Sequence, residues 1–124
     1  MKLFNIANPA FNEAFGKLMG AKLSGKVAFK ATKIAAKIQE NGELYNKTRI
    51  ATCEKFSDKD AEGKALMTAE NTFQIPQASM QAFNQEIADL MNVDFECQTF
   101  SIDELEAAEL TANDLMALNE LITE

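Results

Sequence analysis

Residues 24–56 read SGKVAFKATKIAAKIQENGELYNKTRIATCEKF, and this stretch decides the fold. It contains no proline and is rich in Ala, Lys, Glu and Ile, residues that enter a helix at little cost, with Ser24 placed to cap the first turn. Val27, Ala31, Ile34 and Ile38 recur at intervals of three and four, and Tyr45 continues the series, so one apolar seam runs along a helix predicted over 24–56. Gly42 is its weak point, at a cost of about 1 kcal/mol relative to alanine. An unbroken helix of this length spans about 50 Å at a rise of about 1.5 Å per residue. A compact domain of this size has a radius of gyration of about 14 Å. Part of the helix is therefore expected to project from the fold or to pair with another chain.

Lys26, Lys30, Lys33 and Lys37 accompany the seam, and at about 100° per residue their spacing gathers four ammonium groups within about 60° of one helical face. Such a stripe can follow a phosphate backbone, dock an acidic protein surface, or face solvent and the chain's own carboxylates. With one arginine in the chain and no aromatic interleaving beyond Phe29, nucleic acid is the weaker fit. The seam holds too many alanines for strong insertion into a membrane surface.

Outward from the long helix, Asn8-Pro9 reads as a cap and a first helical proline ahead of Phe11, Phe15 and Leu18, predicting a short helix over 9–20. Downstream, 57–76 is a polar loop with a possible β-hairpin, Leu66 to Thr68 and Thr72 to Ile75 flanking a turn at Ala69-Glu70-Asn71. Met80, Phe83, Ile87, Leu90 and Met91 mark a second helix over 78–92, expected to pack antiparallel on the long helix. Val93, Phe95 and Cys97 alternate with Asp94, Glu96 and Gln98, the pattern of a half-buried strand over 93–100. Ser101-Ile102-Asp103-Glu104 is a capping box, and Thr111-Ala112-Asn113-Asp114 repeats the N-cap logic, so two short helices are predicted over 101–122. The expected fold is mainly α, one domain over 1–124: an antiparallel helical hairpin with one long helix, a small β element and short C-terminal helices.

The 124 residues and their 47% apolar content suffice for one core, and no apolar run approaches a membrane span. Two cysteines, Cys53 and Cys97, form no framework and point to a reducing compartment. No signal peptide is read at the N-terminus. The net charge of −7 is unevenly spread: 1–49 hold nine Lys/Arg against three Glu, and 50–124 hold three Lys against sixteen Asp/Glu. This asymmetry can be satisfied inside the fold, between copies, or by nucleic acid on the basic half.

Histidine is absent, which removes the commonest general base and nitrogen ligand. Neither cysteine has an activating partner in sequence, and no glycine spacing fits a phosphate loop. Asp58-Lys59-Asp60-Ala61-Glu62-Gly63 starts like a calcium loop, but Ala69 occupies the bidentate position, so a polar turn is read instead. Glu104, Glu106 and Glu109 lie on short helices and read as an acidic surface rather than a carboxylate pair across a cleft. No catalytic residue, metal or cofactor is expected.

Leu23-Ser24-Gly25-Lys26-Val27-Ala28-Phe29-Lys30, Lys59-Asp60-Ala61-Glu62-Gly63-Lys64, Phe83-Asn84-Gln85-Glu86 with Leu90-Met91-Asn92, and Leu110-Thr111-Ala112-Asn113-Asp114-Leu115-Met116-Ala117-Leu118 follow one another in an order that resembles a family of small proteins of unassigned function from tailed bacteriophages and prophages. The likeness covers about residues 20–122. Lys55-Phe56-Ser57 departs from it, standing where an aromatic-glycine pair is expected. The resemblance implies a phage setting, in the host bacterial cytoplasm or the virion, and a helical hairpin. It transfers no catalytic residue.

The leading expectation is a non-enzymatic protein that acts by protein-protein interaction as a virion component or assembly factor and forms homo-oligomers. Its interaction residues are the basic stripe Lys26, Lys30, Lys33 and Lys37 and the acidic face Glu104, Glu106 and Glu109. The alternative is an acidic inhibitor of a host defence or nucleic-acid enzyme, its carboxylates standing in for phosphates. The partner is expected to be a phage or host protein, and no membrane is implied.

Overall fold

The computed structural model describes residues 1–70 and 72–123 and is mostly helical. In chain order the helices are α1 (Phe4–Ala7), α2 (Pro9–Gly20), α3 (Gly25–Phe56), α4 (Gln77–Met91), α5 (Ile102–Leu105) and α6 (Ala112–Ala117). Tight 3-10 turns follow α5 and α6. The strands β1 (Phe100–Ser101) and β2 (Ile122–Thr123) pair in parallel, Phe100 opposite Ile122 and Ser101 opposite Thr123. The chain gathers into two compact units, the first Met1–Gly42 with Val93–Glu124 and the second Glu43–Asn92.

In the first unit, α2 starts where Asn8 accepts the Ala10 N–H beside Pro9, and it closes at Gly20. Phe11, Ala14 and Leu18 lie one helical face apart and are fully buried. They meet Ala31 and Ile34 of α3, Phe100 of β1, Leu105 of α5, and Leu118 and Leu121 beyond α6, forming one continuous core. Phe15 stacks on Phe11 with ring centroids 5.9 Å apart, at the margin of that core. Val27 and Ile38 also pack against it. The seam of α3 in this unit is therefore covered by the chain itself, contrary to the expectation of surplus apolar surface. A long helix flanked by α2 and the C-terminal elements finds enough short partners to shield a stripe of small and branched side chains.

Both C-terminal helices open on reciprocal caps, Ser101 with Glu104 and Thr111 with Asp114, each side chain taking the other residue's backbone N–H. Glu109 then adopts a left-handed backbone at φ 52°, ending the 3-10 turn. Gly42 continues α3, and a Cβ there would make ordinary contact with the Ile6 methyl at 3.5 Å.

The strand expected over 93–100 is not formed as such. Lys2 bridges Asp94, Leu3 N–H donates to Val93 O, and Met1 and Phe95 exchange two hydrogen bonds of 2.9 Å. Between these and β1, residues 96–99 form no regular element and have no laddered partner among the described residues. The alternation signalled facing over 95–98, where Phe95 and Cys97 are half-buried and Glu96 and Gln98 exposed, but not at Val93, which is 48% exposed. A strand also needs a neighbour's backbone, which the pattern does not report.

The second unit is built differently. Tyr45, Cys53 and Ser57 are its only buried residues among those described, and none of them is fully enclosed. After α3, residues 58–70 and 72–74 form a small antiparallel meander through Lys59 opposite Ala65 and Met67 opposite Phe73, with Thr68 N–H donating to Thr72 O. The turn expected at Ala69-Glu70-Asn71 is formed at Ala69 and Glu70, while Asn71 lies outside the described residues. Asp60 accepts the Glu62 and Lys64 N–H groups, and Gly63 takes φ 81°, which a side chain would strain. Phe56 meets Phe83 of α4 edge to face at 6.1 Å, beside a Lys55–Glu86 ion pair of 2.8 Å. No residue of α4 is fully buried.

Candidate interaction surface

The four lysines of the basic stripe do not share one fate. Lys30 turns toward the seam: its ammonium donates to both Glu104 carboxylate oxygens at 2.9 Å and to Thr99 O at 3.3 Å, above the Phe100 ring. Lys26, Lys33 and Lys37 are exposed and make no ion pair among the described residues. Phe29 lies beside them, 67% exposed, with the Lys33 ammonium 5.5 Å from its ring centroid. The outer face of α3 in the first unit is thus a basic patch with one open aromatic ring at its edge.

The acidic residues are divided in the same way. Glu104 accepts the Ser101 backbone N–H and the Lys30 ammonium, which together hold its carboxyl down at about 2. It belongs to the fold's internal electrostatics and not to an open acidic face. Asp114 is likewise lowered by the Thr111 N–H, with Lys17 contributing at 3.2 Å. Two ion pairs therefore tie the basic N-terminal segment to the acidic C-terminal one inside the first unit, which satisfies part of the charge asymmetry within the fold. Glu106, Glu109 and Asp103 remain exposed, and Ile102 stands among them at 51% exposure.

A groove of about 820 Å³ lies in the first unit between α3 and residues 94–98, with Ile34, Phe95 and Cys97 along it and Lys33, Lys37, Asp94 and Glu96 among its polar lining. Burial pushes the Cys97 thiol up, against the pull of the N-terminal amine and Lys37, so at neutral pH it is a thiol and a poor nucleophile. Cys53 is buried in the second unit. Among the described residues no three His, Cys, Asp or Glu side chains converge as a metal site, and the calcium-like loop spends Asp60 on its own backbone. No described helix is long and apolar enough to cross a membrane.

The sequence reading did not anticipate Phe29 as a surface residue, nor the groove. The signal for Phe29 was present: it is apolar but out of phase with Val27, Ala31 and Ile34, so it cannot share their buried side. The groove depends on where residues 94–98 cross α3, which no local pattern encodes. Comparison of the chain with protein-family models, curated proteins and solved structures gives no match.

Proposed function

We propose that this chain is a non-enzymatic binding protein whose partner is another protein, recognised by the outer face of α3. The observation that carries the reading is the wide exposure of Phe29 next to three lysines without ionic partners among the described residues, on the helix whose opposite face is buried at Ala31 and Ile34. An open aromatic ring costs free energy in water and gains it under a partner, and flanking ammonium groups select an acidic surface. The thiol of Cys97 and the absence of histidine support the non-catalytic part. The antiparallel pairing of α3 with α4, supported by the Phe56–Phe83 and Lys55–Glu86 contacts, is the second element of this reading. The phage setting, with a role in the virion or its assembly, rests on the resemblance alone.

Phosphate mimicry by the C-terminal carboxylates has less support, because Glu104 is paired with Lys30 and Asp114 with Lys17, which takes two of them out of an open acidic face. A photo-crosslinking residue at position 29, in bacteria producing the protein during phage growth, tests the proposal. Discrete protein adducts that disappear when Lys26 and Lys33 are reversed to Glu are expected. Adducts to nucleic acid only, or none above a crosslinker placed at exposed Glu13, would overturn it. Mass spectrometry of purified particles and assembly intermediates tests the virion role, which fails if the chain is absent from both.

A further inference from the structure

The basic-aromatic patch on α3 and the outward side of α5 with its following turn carry opposite chemistry. The first presents Lys26, Phe29 and Lys33, and the second Ile102, Asp103 and Glu106, all exposed. Each combines two charges of one sign with one open apolar side chain. They belong to the same unit, and the Lys30–Glu104 ion pair is the joint between the two elements that bear them. The two patches are therefore neighbours, separated by a contact already satisfied.

Neighbouring patches of opposite sign have a geometric consequence. When complementary surfaces stand on opposite sides of a molecule, copies join head to tail and the contact does not close. When they stand side by side, a two-fold rotation brings each patch of one copy onto the other patch of its mate, and both contacts form at once. The doubled contact pairs lysines with carboxylates across the axis and covers Phe29 and Ile102 together.

We infer that the α3 face binds a second copy of this chain in a closed two-fold dimer, Lys26, Phe29 and Lys33 of one copy meeting Ile102, Asp103 and Glu106 of the other. The inference rests on the reading of the α3 face as a protein-binding surface and names its occupant.

Sedimentation and light scattering of the purified chain test it. The wild-type chain dimerises, and the dimer weakens between about 0.1 M and about 1 M salt as the Debye length falls from about 10 Å to about 3 Å. The double reversals K26E/K33E and D103K/E106K each weaken dimerisation by about tenfold or more, because each sets like charges against one another. Mixed in equal amounts, they restore association as a heterodimer, since every contact is again opposite in sign. Circular dichroism melts confirm that both variants fold, as expected for exposed positions. A wild-type chain that stays monomeric at high micromolar concentration and low salt overturns the dimer, as do variants that still dimerise alone or a mixture that fails to pair. Failure here with position-29 adducts to other proteins would leave the binding reading standing; loss of those adducts as well would remove both.

Discussion

The first unit closes around aromatic and leucine side chains buried to the last few per cent, whereas the second unit buries only Tyr45, Cys53 and Ser57 among its described residues and none in α4. The two share one helix, so the difference does not come from helix propensity. It comes from what each stretch of α3 finds to pack against. Residues 25–42 meet α2 and a C-terminal set of capped turns that place Phe100, Leu105, Leu118 and Leu121 over the seam. Residues 43–56 belong with a polar meander and α4, whose apolar side chains are half-covered or exposed, Met80 among the latter. Stability should concentrate in the first unit, and local opening should begin in the second.

The largest test of that contrast is Phe100→Ala. A fully buried aromatic truncated in a continuous core is expected to cost about 3–5 kcal/mol and to lower the whole urea transition. A cost below about 1 kcal/mol would show that the core is less closely packed than its burial implies. Next, Phe83→Ala removes one half of an edge-to-face pair at a partly buried site and should cost about 1–2 kcal/mol. Its effect should appear as faster amide exchange across α4 and the meander while α2 keeps its protection. Equal acceleration in α2 would mean that the two units open as one.

Acid provides a third probe. The Glu104 carboxyl lies at about 2 in the folded chain against an ordinary value of 4.5, held first by the Ser101 N–H and then by Lys30. A depressed folded value means a stabilising contribution that is complete above about pH 4.5 and is lost as pH falls toward about 2. Glu104→Gln should therefore reduce stability at neutral pH and flatten the loss across that window, read from urea midpoints at successive pH values. An unchanged slope would mean that other carboxylates govern acid unfolding. The smallest effect is expected at Lys55→Ala, which breaks a pair whose side chains are 62% and 42% exposed. Within about 0.5 kcal/mol of wild type is the expected result. A larger cost would make the α3–α4 contact in the second unit stronger than its surface character suggests.

Much of the local structure was legible. Asn8-Pro9 and Gly20 bracket α2, the proline-free run from 24 to 56 is α3, and the two capping boxes open α5 and α6 where Ser101 and Thr111 stand. These signals are legible because a cap or a breaker acts on backbone groups within a few residues of itself. The candidate surface was only partly legible. Spacing grouped Lys26, Lys30, Lys33 and Lys37 on one face, but it gave no means of seeing that Lys30 would be taken by Glu104, 74 positions away. The same blindness placed Glu104 on an open acidic face and read the seam as surplus.

What the chain determined by itself is therefore the three longer helices α2, α3 and α4, the starts of α5 and α6, and the sidedness of α3, since each follows from backbone chemistry and a 3.6-residue period, whereas the single turn of α1 carried no such signal. Tertiary structure alone decided which segments cover that seam, that residues 96–99 would find no strand partner among the described residues, and which lysines keep their charge open to solvent. Those outcomes depend on contacts between residues far apart along the chain, where burial and pairing are set by which neighbour arrives and not by any residue's own preference.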